Sequence, residues 1–201
     1  MCIRDRANFI GGHPMTGSEK TGILSATNTL LENAYYIITP TALTPKEEIS
    51  EFRDFVLSLG AIPLILDYKI HDYSTAAISH LPHMIAYSLV NLVHQIDDDK
   101  ETMKTIAAGG FKDITRIASS SPVMWQNICA SNREPLLSLM DQYLALLTKL
   151  RGYIDSSNEQ ALLSFFQQAK DYRDSITLPS VKSPTVYYLS LIHISEPTRP
   201  Y

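Results

Sequence analysis

Two cysteines, one tryptophan and eight glycines are all the chain holds of three structure-defining residue types among its 201 residues. So few cysteines exclude a disulfide framework. Cys2 lies in a terminal flank, Cys129 is left without an intramolecular partner, and the pattern fits a reducing, cytoplasmic setting. The only adjacent glycine pairs are Gly11-Gly12 and Gly109-Gly110, and neither extends to Gly-x-Gly-x-x-Gly, so the turn that seats a pyrophosphate on a helix N-terminus is not in these residues. Positive charge is also in short supply, with 17 Lys and Arg against 21 Asp and Glu and a net charge of -4, which excludes nucleic-acid binding driven by phosphate neutralisation. No apolar run approaches the ~18 residues of a membrane span. No basic segment followed by an apolar core marks a signal peptide.

What is present divides the chain into unlike parts. Residues 35–66 read as strand–helix–strand. Tyr35–Thr39 is a short apolar run closed by Pro40, and Thr44-Pro45-Lys46-Glu47 has the form of a capping box with proline at the first helical position. Ile49, Phe52, Val56 and Leu59 follow at helical spacing before Gly60, a candidate C-cap. Ile62–Leu66 is apolar on both faces, as in a strand covered on both sides. Phe9-Ile10 reads as the tail of a further strand entering a glycine-rich loop. From Asp72 the pattern is helical. Met84–Ile96 is apolar nearly all round, Pro82 either starts that helix or kinks a longer one beginning near Tyr73, and the acidic turn Asp97-Asp98-Asp99 ends it. Leu136 to Ile154 stripes another long helix, Ser156–Glu159 is a second capping-box pattern, and Leu162 to Tyr172 lines the last helical face. The fold class expected is an α/β remnant over residues 7–70, the end of a Rossmann-type domain, followed by an all-α domain over 71–176.

The ends read differently. Residues 1–6 and 189–201 look like translated sequencing adapter and are set aside. Residues 177–188 read as a proline-containing linker, with Thr185–Tyr188 the start of a strand.

Three polar clusters carry the chemistry: Gly11-Gly12-His13-Pro14-Met15-Thr16-Gly17, Ser79-His80-Leu81-Pro82-His83, and Gly109-Gly110-Phe111-Lys112-Asp113-Ile114-Thr115-Arg116. Their order and spacing resemble the substrate-site signature of the prephenate dehydrogenases, NAD-dependent enzymes of tyrosine biosynthesis. The resemblance runs from about Ala7 to Ile176. It implies that the chain begins after most of a dinucleotide-binding domain, that residues 71–176 form a homodimerisation and substrate domain, and that a regulatory ACT domain begins near Thr185. A chain starting there is expected to have no dehydrogenase activity alone.

Residue by residue, the resemblance makes His13 the group that accepts the substrate hydroxyl proton, a task suited to an imidazole with a pKa of about 6.5. It makes His83 the second active-site histidine. Arg116 becomes the anchor for a substrate carboxylate, whose geometry the guanidinium fork matches, and Lys112 an added positive charge. Glu19, Asp72 and Asp113 take the place of ion-pair residues that gate the site around the arginine. Cofactor-binding residues are unassigned, with Gly12 and Pro14 the candidates. The cofactor implied is NAD, or else NADP; the substrate is prephenate, or else arogenate; no metal is expected. Each residue also has an ordinary reading: His13 as a loop histidine, Arg116 as a surface cation paired with Asp113 at i, i+3, His83 and His80 as hydrogen-bonded core histidines or an i, i+3 metal pair, and Trp125 as core. A helical interaction module without catalysis is the alternative from another class. It predicts that His13, His83 and Arg116 do not converge.

Overall fold

A computed structural model describes residues 9–17, 22 and 26–176. Three strands form one sheet in the order β1 (Ile10–Pro14), β2 (Tyr35–Pro40), β3 (Ile62–Ile65). The glycine-rich segment is therefore a strand through Pro14, not a loop. It runs antiparallel to β2 with His13 opposite Ile37, while β2 and β3 are parallel. Helix α1 (Lys46–Ser58) makes the crossover between β2 and β3. Its Val56, fully buried, packs with Ile38 and Ala61 and is flanked by Ile10, Leu31, Tyr36 and Phe52.

The sheet explains the glycine pair. A Cβ on Gly12 would lie 2.7 Å from the Tyr36 hydroxyl, and one on Gly11 would lie 2.3 Å from Thr39 Oγ1. Protein side chains, not a cofactor, fill the space that these glycines leave. That counts against Gly12 as a cofactor contact.

Both capping boxes resolve differently from the sequence pattern. Thr44 Oγ1 donates to Phe9 O and accepts from Thr41 N–H, tying β1 to the α1 approach, while the N-cap position, Pro45, has no side-chain cap. Before the last helix it is Asn158 that caps, its Oδ1 accepting from Ala161 N–H. Gly60 does end α1, at φ +76°, where a Cβ is penalised.

The helical part starts earlier than the pattern suggested. Asp67 accepts from Lys69 N–H and caps α2 (Tyr68–Thr75). A π-helical turn (Ala76–His80) joins α2 without a break to α3 (Leu81–Ile96). Within it Leu81 N–H donates to Ala76 O, five residues back. The wide turn relieves Pro82, which has no N–H to donate and whose ring would crowd an α-helical carbonyl four residues behind. By length and composition this 29-residue run could cross a membrane. Asp97 and Asp98 accept from the amides of α4 (Thr102–Ile106), so the acidic turn serves as a cap. Helices α5 (Gly109–Thr115), α6 (Pro122–Ser131), α7 (Arg133–Asp155) and α8 (Glu159–Ser175) complete the described chain.

Candidate active site

A cleft of about 600 Å³ opens where β1 meets the helical part. His13 to Gly17 form one wall, and Ser79, His83, Arg116, Ile117, Ser120, Met124 and Trp125 form the rest. The three residues singled out from separate motifs thus line one space.

Each is held by its own local structure. His83, near the start of α3, donates from Nδ1 to Ser79 O at 2.8 Å. That carbonyl belongs to the π turn, where the usual i+4 backbone pairing is loosened. The bond fixes the Nδ1–H tautomer and leaves Nε2 with its lone pair. The ring stacks on Trp125 with centroids 3.7 Å apart and planes at 27°. Trp125 is 6% exposed and sits on α6, which Ser121 caps. Burial lowers the His83 pKa below its ordinary value, against the Ser79 carbonyl, which raises it, and with the Arg116 charge, which lowers it further.

Arg116 stands at the end of α5, where the chain tightens into a 3-10 turn (Arg116–Ser119). Buried neighbours set that turn. Thr115 Oγ1 donates to Phe111 O, Ser120 Oγ donates to Ile117 O, and Tyr87 Oη reaches from α3 to donate to Ser120 O at 2.8 Å. Arg116 itself is exposed and lines the cleft.

His13 has a partner that sequence reasoning missed. Its Nδ1 lies 2.7 Å from His71 Nε2, and His71 Nδ1 donates to Asp72 Oδ1 at 2.9 Å. The His13 and His71 rings meet edge-on with centroids 5.0 Å apart. Burial first, and His71 second, lower the His13 pKa below its ordinary value. An imidazole in that condition stays neutral at neutral pH and can accept a proton. The available signal for His71 was its place directly before Asp72 in a segment already marked for its acid.

The other sequence candidates fall elsewhere. Asp72 is engaged by His71, and its backbone carbonyl accepts from Asn132 Nδ2. Lys112 lines a different hollow, with Val90, His94 and Asp97 to Asp99, because α5 turns that face away from the cleft. Asp113 is exposed on α5. Pro14 does line the cleft. Glu19, residues 1–6 and residues 177–201 lie outside the described residues. His80 is a half-buried histidine between Asn132 and the edge of Trp125, its pKa lowered chiefly by burial.

A three-stranded mixed sheet, joined to a helical layer with a His–His–Arg cleft at the junction, has the build expected at the domain junction of a two-domain, nucleotide-dependent dehydrogenase. Residues 1–63 match the nucleotide-binding domain of prephenate dehydrogenase, and residues 67–168, including the whole apolar helical run, match its dimerization domain. The chain belongs to the prephenate dehydrogenase family. It is 38% identical over 186 residues to the prephenate dehydrogenase of Bacillus subtilis, covering 92% of this chain and 50% of that protein. Among solved structures it resembles the prephenate dehydrogenase of A. aeolicus in complex with hydroxyphenyl propionate and NAD+, at TM-score 0.79 and 31% identity, covering 84% of this chain and 59% of that one. The arogenate dehydrogenase of Synechocystis is similar at TM-score 0.75 and 30% identity, covering 83% and 60%. The chain spans about half the length of the curated relatives it matches.

Proposed function

We propose that this chain supplies the substrate site and dimer contacts of an NAD-dependent prephenate dehydrogenase, which converts prephenate to 4-hydroxyphenylpyruvate and carbon dioxide. The observation that carries the proposal is the convergence of His13, His83 and Arg116 on one cleft. His13 accepts the hydroxyl proton as carbonyl character develops at the ring carbon, and returns it when decarboxylation restores a phenol. No net proton leaves the site in that sequence. Arg116 binds a carboxylate, and His83, held in place by the Ser79 carbonyl, lines the same cleft and shapes the space for the substrate. Trp125 walls the site against water. A nicotinamide, when bound, supplies the hydride acceptor; the Pro14–Gly17 edge of the cleft is where these residues would hold that ring, because it adjoins His13. The pyrophosphate turn must come from other residues.

The chain dimerises through its helices in this reading. An apolar groove of about 270 Å³ lies between α3 and α7, lined by Leu81, Met84, Leu89, Met140, Leu144 and Leu147 among others, and Leu163 and Phe166 of α8 stand exposed as well. A biosynthetic role of this kind belongs in the cytoplasm. The test is steady-state oxidation of prephenate and of arogenate by the chain alone and by the chain joined to a pyrophosphate-binding half-domain. In the active form His13→Asn lowers kcat by about 10²–10⁴-fold, the usual contribution of a general base. A near-normal kcat removes His13 from that role, and preference for arogenate moves the assignment to the neighbouring activity.

A further inference from the structure

We propose that His71 and Asp72 form a positioning relay that locks His13 in the Nδ1–H tautomer, so that Nε2 is the nitrogen that takes the substrate proton. The inference rests on the reading of His13 as the base and adds the element that makes it one. Asp72 carboxylate accepts from His71 Nδ1–H at 2.9 Å, which leaves Nε2 of a neutral His71 as an acceptor. That acceptor lies 2.7 Å from His13 Nδ1, so His13 must donate there and keep its lone pair on Nε2. The logic runs one way, from carboxylate to first ring to second ring.

All three groups are partly withdrawn from water, with His71 side chain 17% and Asp72 side chain 30% exposed, so their hydrogen bonds are less diluted by solvent than surface contacts. The relay also serves the charged moment of the reaction. When His13 Nε2 takes the hydroxyl proton, the new imidazolium keeps its Nδ1–H bond to His71, and the Asp72 carboxylate stands behind it. Because the proton returns to the phenol oxygen, the relay need not release it to solvent. It holds geometry and shares charge. Among the described residues, His80, His83 and Arg116 lie near this chain of rings, and Tyr68, Lys69, Arg133 and Glu134 line the hollow that Asp72 borders. None of them is hydrogen-bonded to His13 among the described residues.

Imidazole ¹⁵N spectra of the labelled 201-residue chain, with the His13 signals assigned through His13→Gln, test this without turnover. The expected result at neutral pH is a protonated Nδ1 and an unprotonated Nε2 on His13. His71→Phe, which removes the acceptor, shifts His13 toward the Nε2–H tautomer. His71→Gln, whose amide oxygen can accept the same bond, restores the original pattern. In the active enzyme His71→Phe lowers kcat by roughly 10–100-fold with little change in KM, as for other loss of an orienting partner, and His71→Gln recovers much of it. A His13 that carries its proton on Nε2 in the unmodified chain, or whose tautomer ignores His71→Phe, overturns the relay. If His71→Phe does not fold, the spectrum of the unmodified chain and that of His71→Gln still decide. A locked tautomer together with normal kcat in His13→Asn would instead overturn the base assignment and leave the relay standing.

Discussion

Replacing Trp125 separates two things that its indole does. The ring is a buried plate, 6% exposed, on which His83 lies at 3.7 Å and against which His80 stands edge-on at 5.9 Å. Its Nε1–H is buried and meets no acceptor among the described residues. Trp125→Ala removes the plate and opens a cavity between α6 and the π turn, a change that costs about 3–5 kcal/mol for a buried tryptophan. Trp125→Phe keeps an aromatic face under His83. It gives up the second ring of the indole, at a cost of about 1–2 kcal/mol, and it releases an unpaired buried donor, worth about 1–3 kcal/mol in the other direction. The two nearly cancel, so Trp125→Phe should lie within about 1 kcal/mol of the unmodified chain and at least about 2 kcal/mol above Trp125→Ala. Urea unfolding followed by far-ultraviolet circular dichroism measures both, since the only tryptophan is lost in each variant. Equal destabilisation by Phe and Ala would refute the argument, because it would mean that the indole N–H is satisfied and contributes to the fold.

Stability should also fall on acidification through the histidines. His13, His80 and His83 all have pKa values lowered in the fold, so below about pH 6.5 the unfolded chain binds more protons than the native one. Their contribution is complete above that pH and is lost as pH drops through the lowered values, and a melting temperature that stays level from pH 7 to 5 contradicts this. Gly60→Ala forces a Cβ into φ +76° and should cost about 1–2 kcal/mol, read as a lower urea midpoint with unchanged slope, whereas Gly152→Ala, in an open helical position, should be neutral or stabilising.

The strand–helix–strand unit was legible because its signals are local. Tyr35–Pro40 and Ile62–Ile65 are apolar runs between breakers, and Gly60 carries a conformation that few other residues adopt. Capping was misread in both places for one reason. A hydroxyl three residues before a Glu fits a box, but Thr44 was drawn to Phe9, 35 positions away, and Asn158 was simply better placed than Ser156. The glycine pair was misread as a loop because nothing local to Gly11-Gly12 announces that Tyr36 and Thr39 will lie across them. His13, His83 and Arg116, which line one cleft, were singled out through motifs, whereas Lys112 lines a different hollow: the chain tightens into a 3-10 turn at Arg116, so the pair does not keep the common face that i, i+4 spacing has in an α-helix. His71 was missed outright: its meeting with His13, 58 residues away, is a tertiary fact.

The π turn is what makes that meeting compatible with the rest of the site. His71 and His83 are twelve residues apart on one continuous helical run. In an unbroken α-helix that spacing leaves them about 120° apart around the axis, so that one faces the cleft and the other faces away. A π turn accommodates one extra residue, so the pair behaves as if separated by eleven positions and comes to within about 20° of the same face. The observed turn at Ala76–His80 lies between the two histidines. It therefore lets α2 offer His71 and Asp72 to His13 while α3 presents His83 to the same cleft, and it leaves the Ser79 carbonyl available to orient His83. Pro82, which from sequence alone could either begin this helix or kink a longer one, sits in the first turn of α3 within a longer helical run. It follows a turn whose looser backbone has room for it, and His71 and His83 come into phase across that turn.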